Sequence, residues 1–208
     1  MTAQDLAVTA QDLAVTDSVG HAGRMRTVHL VRHGERGDGA GLSERGHTQA
    51  RLLGARLAEL GIDTVHHSPL PRAVETARSL GLVGVPLLVS ELLSDRTPVP
   101  LPDEERDYPA EHLAVLAGVR PPERDLGARQ LRAAVEHFES GPDRNEVLVT
   151  HAFVVGWFTR YALDAPDWRW IGLNPAHASL TSITVARGRP PTLVRFNDVG
   201  HLPVEMRT

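Results

Sequence analysis

The sequence predicts an α/β fold, a three-layer α/β/α sandwich around a mostly parallel central sheet. Short, β-branched, apolar runs alternate with longer stretches whose apolar residues recur at helical spacing. The chain has 208 residues, enough for one domain with a sizeable core and a short arm. Hydrophobic residues make up 41% and charged residues 23%, ordinary values for a soluble globular protein.

In chain order, the first segment repeats itself: TAQDLAV occupies 2–8 and again 9–15. Two copies are too few for a solenoid. Residues 1–24 therefore read as an arm outside the core, with Ser18 to Gly23 as a linker and 25–208 as the folded domain. Leu6, Val8, Leu13 and Val15 recur at intervals that would also suit a short amphipathic helix. TVHLVRH (27–33) reads as the first buried strand. Ser43 to Leu60 reads as a helix, with Ala50, Leu53, Leu57 and Leu60 on one face, Ser43 as N-cap and Gly61 as the stop. TVHH (64–67) is a second strand. Pro69 to Leu80 is a second helix with proline in its first turn. VPLLVS (85–90) is a third strand. DRTPVPLPDEERDYP (95–109) is neither helix nor strand by composition. Helices are expected at 109–117 and 124–139, a strand at EVLVT (146–150), a helix from Phe153 to Leu163, and a closing hairpin over 178–196.

Several function classes drop out on composition. A net charge of −4 carries no nucleic-acid footprint. The absence of cysteine removes disulfides, thiolate metal sites and cysteine nucleophiles together. No apolar run approaches the roughly 18 residues of a membrane span, and the N-terminus lacks the pattern of a secretory signal. A cytoplasmic protein without membrane contact is expected.

Two strands end in histidine. VHLVRHGE puts Arg32, His33 and Gly34 at the end of the first, and EVLVTHA puts His151 and Ala152 at the end of a later one. Parallel strands bring both histidines to one edge of the sheet, the edge where such sheets bind ligands. SPLPRAVETA adds Arg72 at the start of the helix after the second strand. Two arginines suit a phosphomonoester dianion, because guanidinium engages its oxygens in bidentate fashion. A neutral imidazole can attack phosphorus near pH 7 when its other nitrogen donates to a carbonyl or carboxylate. Gly34 is expected to let the backbone turn sharply beside the phosphate, and the helix N-terminus at Ala152 to add backbone donors. Arg32, Arg72 and a protonated His151 would then stabilise the charge of the transition state.

LVRHGE (30–35), LSERGHTQA (42–50), HSPLPRAVETA (67–77) and VTHA (149–152), in this order, resemble the histidine phosphatase superfamily, the phosphoglycerate-mutase-like clan. ELLSDRTPVPLPD, THAFVVGWFTRYAL, NPAHASLTSITV and FNDVGHLP are similar to the branch that contains a mitochondrial serine/threonine protein phosphatase. The resemblance spans Arg26 to Pro203. It implies a phosphoglycerate-mutase-like fold and a phosphatase that hydrolyses phosphomonoesters through a phosphohistidine. It implies no cofactor and no metal. By matching position, His33 is the phosphorylated histidine, Arg32 and Arg72 bind phosphate, and His151 is the second histidine. The family's general acid is usually a glutamate; Asp95 stands there, one methylene shorter, with Glu91 as the alternative. The asparagines that follow RHGE in the family are absent, since ERGDGAG intervenes. The expected partner is a phosphorylated substrate, either a phosphoprotein or a small phosphoester, and a homodimer is compatible with the resemblance.

The other histidines and tryptophans read as structural. His66 and His67 are adjacent on a strand, point to opposite faces and cannot chelate one ion together. Trp157, Trp168 and Trp170 read as packing residues. His201 reads equally as pocket border or surface. Two rival functions remain: a phosphoglycerate-type mutase, which the missing segment after the acid disfavours, and a catalytically silent binding protein on the same fold. A metal-dependent phosphatase lacks its clustered carboxylates.

Overall fold

The computed structural model describes residues 25–186 and 188–208, so the duplicated heptapeptide and the arm expected over 1–24 lie outside the described residues. The elements run β1 (Arg26–Arg32), α1 (Glu44–Ala58), β2 (Thr64–His67), α2 (Pro71–Ser79), β3 (Leu87–Val89), β4 (Thr97–Val99), α3 (Ala110–Ala117), β5 (Arg124–Leu126), α4 (Arg129–Glu139), β6 (Asn145–Thr150), α5 (Ala152–Ala162), β7 (Leu180–Val185) and β8 (Thr192–Asp198). Short 3-10 turns lie between several of them.

Local chemistry accounts for most boundaries. Ser43 caps α1, its hydroxyl accepting from the Gly46 N–H at 3.0 Å. Gly61, just past that helix, takes the left-handed conformation at φ +63°. Pro71 opens α2, where its missing N–H would have had no acceptor.

The main sheet has the order β3-β2-β6-β1-β7-β8. The first four strands are parallel, and β7 and β8 add antiparallel at the far side. Alternate side chains of the central strands feed two cores. Val28, Leu30 and Leu148 pack with Leu131 and Phe138 of α4 and Val154 and Trp157 of α5. Val31, Val147 and Val149 pack with Leu53 and Leu57 of α1 and Ala73 and Ala77 of α2. The sheet is thus covered on both faces, as predicted. Truncating a fully buried leucine such as Leu30 or Leu148 to alanine would cost about 2–5 kcal/mol.

The structure corrects the sequence reading in the middle of the chain. The stretch 95–109 is not wholly irregular, because Thr97–Val99 pairs in parallel with Arg124–Leu126 as a small second sheet. The helix expected from 124 begins only at Arg129. Asp125 is the reason: its buried carboxylate accepts from the N–H groups of Gln130 (3.0 Å) and Leu131 (3.1 Å), while Gly127 and Ala128 turn through positive φ. A residue that caps the first turn from outside cannot belong to it. The third strand is also shorter than expected and forms the sheet edge, with Leu87, Leu88 and Val89 exposed.

Candidate active site

Register brings the two histidines together. In the parallel pair β1–β6, Arg32 lies opposite Thr150, so His33 and His151 are the next residues on neighbouring strands. The ladder continues past the strand ends: the His33 N–H donates to Thr150 O at 2.9 Å, and the Ser68 N–H to Val149 O at 3.0 Å. The two imidazole rings lie 5.2 Å apart, both buried.

His33 is oriented through its backbone neighbour. Its Nδ1 donates to the Gly34 carbonyl at 2.7 Å, which leaves Nε2 with the lone pair. Arg72 Nε donates to that Nε2 at 3.2 Å. Burial lowers the His33 pKa to about 3, aided by His151, Arg72 and Arg32 and opposed by the Gly34 hydrogen bond. The ring is therefore neutral near pH 7, as a nucleophile must be.

His151 departs from expectation. Burial first, then the charges of Arg72 and Arg32, push its pKa down to about 3. Two fixed cations beside a buried ring disfavour a third, so His151 is neutral here, whereas the protonated form is the one expected for the transition state. Its Nε2 meets the hydroxyl of the fully buried Ser68 at 2.8 Å, and its buried Nδ1 has no hydrogen-bond partner among the described residues. Ala152 opens α5, and first-turn amides have no acceptor within the helix.

Gly34 is small for a different reason from the one expected. It is not among the glycines at positive φ; a Cβ there would lie 2.6 Å from the Gly46 carbonyl oxygen. The loop after β1 must pass directly over the start of α1, and only glycine permits it. The Gly34 N–H is taken by Thr76 Oγ1 at 3.0 Å, so this residue positions His33 and does not offer that N–H to a ligand.

Of the two acid candidates, Asp95 and Glu91, the structure places Asp95 beside Arg72 and His151. Asp95 Oδ2 accepts from Arg72 Nη2 at 2.6 Å and lies 3.6 Å from His151 Nδ1. Glu91 is exposed and accepts from the Ser94 hydroxyl. Asp95 is held there by its neighbours: Thr150 Oγ1 donates to Leu93 O at 2.8 Å, and Gln130 Nε2 donates to Leu92 O and Ser94 O.

His177 belongs to this group and was not foreseen. Its Nε2 lies 2.9 Å from Arg32 Nη2, and its ring is 5.6 Å from that of His33. A single histidine in a loop, 145 residues from its partner, carries no spacing signal. His66 points away from the site, facing Glu146 at 3.6 Å and the Phe138 ring, whereas His67 adjoins Ser68 and bonds to its carbonyl oxygen through Nδ1. Trp157 and Trp170 are buried, and the half-buried Trp168 stacks on His112. His201 Nε2 bonds to Ala178 O at 3.0 Å, next to His177.

Residues 28–199 match the model of the histidine phosphatase superfamily, branch 1. The chain is 31% identical over 208 residues to the mitochondrial serine/threonine-protein phosphatase Pgam5 of Drosophila ananassae, covering 89% of this chain and 67% of that protein. The Drosophila melanogaster protein of the same name is 29% identical over 204 residues, covering 90% and 68%. Among solved structures, the phosphoserine phosphatase of Entamoeba histolytica superimposes with a TM-score of 0.65 at 19% identity, covering 86% of this chain and all of the other. The alpha-ribazole phosphatase of Shigella flexneri does so with a TM-score of 0.61 at 20% identity, covering 83% and 96%. These two likenesses concern the fold.

Proposed function

Because this chain belongs to the histidine phosphatase superfamily, branch 1, and is with it a hydrolase of phosphomonoesters, we propose that His33 is the nucleophile. Its Nε2 attacks phosphorus, the ester P–O bond breaks, and the leaving oxygen takes a proton from the carboxylic acid form of Asp95. Water then attacks the phosphohistidine, Asp95 takes the water proton, and the N–P bond breaks to release phosphate. Arg32, Arg72 and His151 hold the phosphoryl oxygens, with the first-turn amide of Ala152 beside them. The observation that carries this reading is the His33 ring: Nδ1 is committed to the Gly34 carbonyl, so Nε2 carries the lone pair, to which Arg72 donates.

Rapid quench with a labelled phosphoester should trap an acid-labile, base-stable phosphohistidine that maps to His33. His33→Ala should lose both label and turnover. Label on a serine, or label retained in the variant, would defeat the assignment. Histidine and the arginines supply both nucleophile and charge, so the proposal includes metal independence: excess chelator should leave p-nitrophenyl phosphate hydrolysis unchanged.

The substrate is proposed to be a phosphoprotein or a small phosphoester. The Drosophila relatives, named serine/threonine-protein phosphatases, support the former, and a parallel panel of phosphopeptides and small phosphoesters decides. A homodimer is part of the proposal, supported by the open edge strand β3 with its exposed Leu87, Leu88 and Val89; light scattering of the protein and of Leu88→Lys tests it. A cytoplasmic location is likewise proposed, to be checked by cell fractionation, since the Drosophila relatives are named mitochondrial. No described helix is long and apolar enough to cross a membrane.

A further inference from the structure

Arg32 leaves the end of β1 with its guanidinium already engaged. Nη1 donates to Pro175 O at 2.6 Å, Nη2 lies 2.9 Å from His177 Nε2, and Nε is buried without a hydrogen-bond partner among the described residues. Guanidinium can only donate, so His177 Nε2 must accept and carry the lone pair. The ring proton then sits on Nδ1, 3.1 Å from Thr208 Oγ1, which accepts it. The His177 N–H donates to Thr208 O at 2.7 Å, so both ends of this residue are fastened to Thr208. The loop around it is equally constrained. The Ala176 N–H donates to Asn197 Oδ1 at 2.7 Å, and the Ala178 N–H, at φ +52°, donates to Arg32 O at 3.0 Å. Burial and the charge of Arg32 keep His177 neutral, with a pKa of about 4, consistent with an acceptor.

We infer that His177 is a positioning residue for phosphate binding: with Pro175 it fixes the guanidinium plane of Arg32 beside His33 before the phosphoryl group arrives. This rests on the reading of Arg32 as a phosphate ligand. A free arginine would lose rotamer freedom on binding the dianion; one already clamped loses little, and Nη1 and Nη2 each carry a second N–H beyond those used on Pro175 and His177. The role belongs to the segment after α5, which none of the strand-end motifs includes, and it requires the Nδ1–H tautomer that Thr208 selects.

The test is a kinetic cycle on the full chain, reading KM and kcat for p-nitrophenyl phosphate and the inhibition constant of inorganic phosphate. His177→Ala should raise KM and the phosphate inhibition constant about tenfold, the size of a partly lost charge-assisted hydrogen bond, with a smaller change in kcat. His177→Asn, whose side-chain oxygen can accept from Arg32, should recover most of the loss. In an Arg32→Ala background, His177→Ala should change nothing further. Thr208→Val should move the same constants in the same direction by a few-fold, and it serves as the readout if His177→Ala does not fold. Unchanged constants in the single variants, equal losses in His177→Asn and His177→Ala, or additivity with Arg32→Ala would each overturn the inference. If Arg32→Ala itself leaves KM and kcat intact, the underlying reading of the site fails instead.

Discussion

The floor of the site and the side that carries Asp95 are built by different means. The floor is His33, His151 and Ser68, all buried at the ends of β1, β6 and β2, with backbone hydrogen bonds that continue the sheet ladder. The Asp95 side is a short non-ladder segment. It hangs from Thr150 Oγ1 and Gln130 Nε2, and the Asp95 side chain is 36% exposed. Ladder pairing leaves the floor no freedom of register, because a one-residue slip would turn each side chain to the other face. Side-chain suspension leaves the wall free to differ, and it is the wall that carries Asp95, the acid of the proposed mechanism. In the proposed mechanism, the positions that bind the phosphoryl group are the rigid ones and the position that meets the leaving group is the adjustable one.

If that division holds, leaving groups should separate the two regions. Asp95→Asn should slow hydrolysis of alkyl phosphates by about 10²–10⁴, yet affect p-nitrophenyl phosphate far less, because a phenolate departs without a proton. Glu91→Gln should be near neutral on both. The reverse pattern would move the acid to Glu91 and break the comparison. Arg72 touches both regions, donating to His33 and to Asp95. Arg72→Lys keeps the charge but loses the fork, so kcat should fall by about 10²–10³ on every substrate alike. A dependence on leaving group would place Arg72 with the wall.

Stability offers a third test. Leu93 is fully buried and its carbonyl receives Thr150 Oγ1, so it pins the wall to β6. Leu93→Ala should cost about 2–5 kcal/mol in denaturant unfolding. Under native conditions it should reduce alkyl-phosphate turnover more than p-nitrophenyl phosphate turnover; equal reductions would show that the wall is not a separate unit.

A last test is the pH dependence of stability. His33 and His151 have pKa values of about 3, and His29 and His177 of about 4, against an ordinary 6.5. Below pH 6.5 the unfolded chain binds protons that the folded chain refuses. Stability is therefore complete above about 6.5 and falls as pH drops toward the folded values, by at most about 1.4 kcal/mol per pH unit for each histidine. Urea midpoints at pH 7 and pH 5 should show the loss. A flat profile would mean that the floor is wetter than its burial indicates.

The strand ends VRH and VTH, the capped helix from Ser43 and the proline-led helix carrying Arg72 were all legible in the sequence, because each is a local pattern of period, cap or turn. So was the convergence of Arg32, His33, Arg72 and His151, because parallel pairing of consecutive α/β units leaves one edge for strand ends. Three things only the tertiary structure decided. Gly34 is required by the crossing over Gly46, a contact with no sequence signature. The pairing of β4 with β5 is non-local and overrides the helical pattern of 124–139, and it leaves Asp125 to cap the shortened helix from just upstream. The meeting of His177 with Arg32 joins chain segments 145 residues apart. Patterns within a turn or two are written in neighbouring residues. A contact between distant segments exists only once the sheet has set which ends lie side by side.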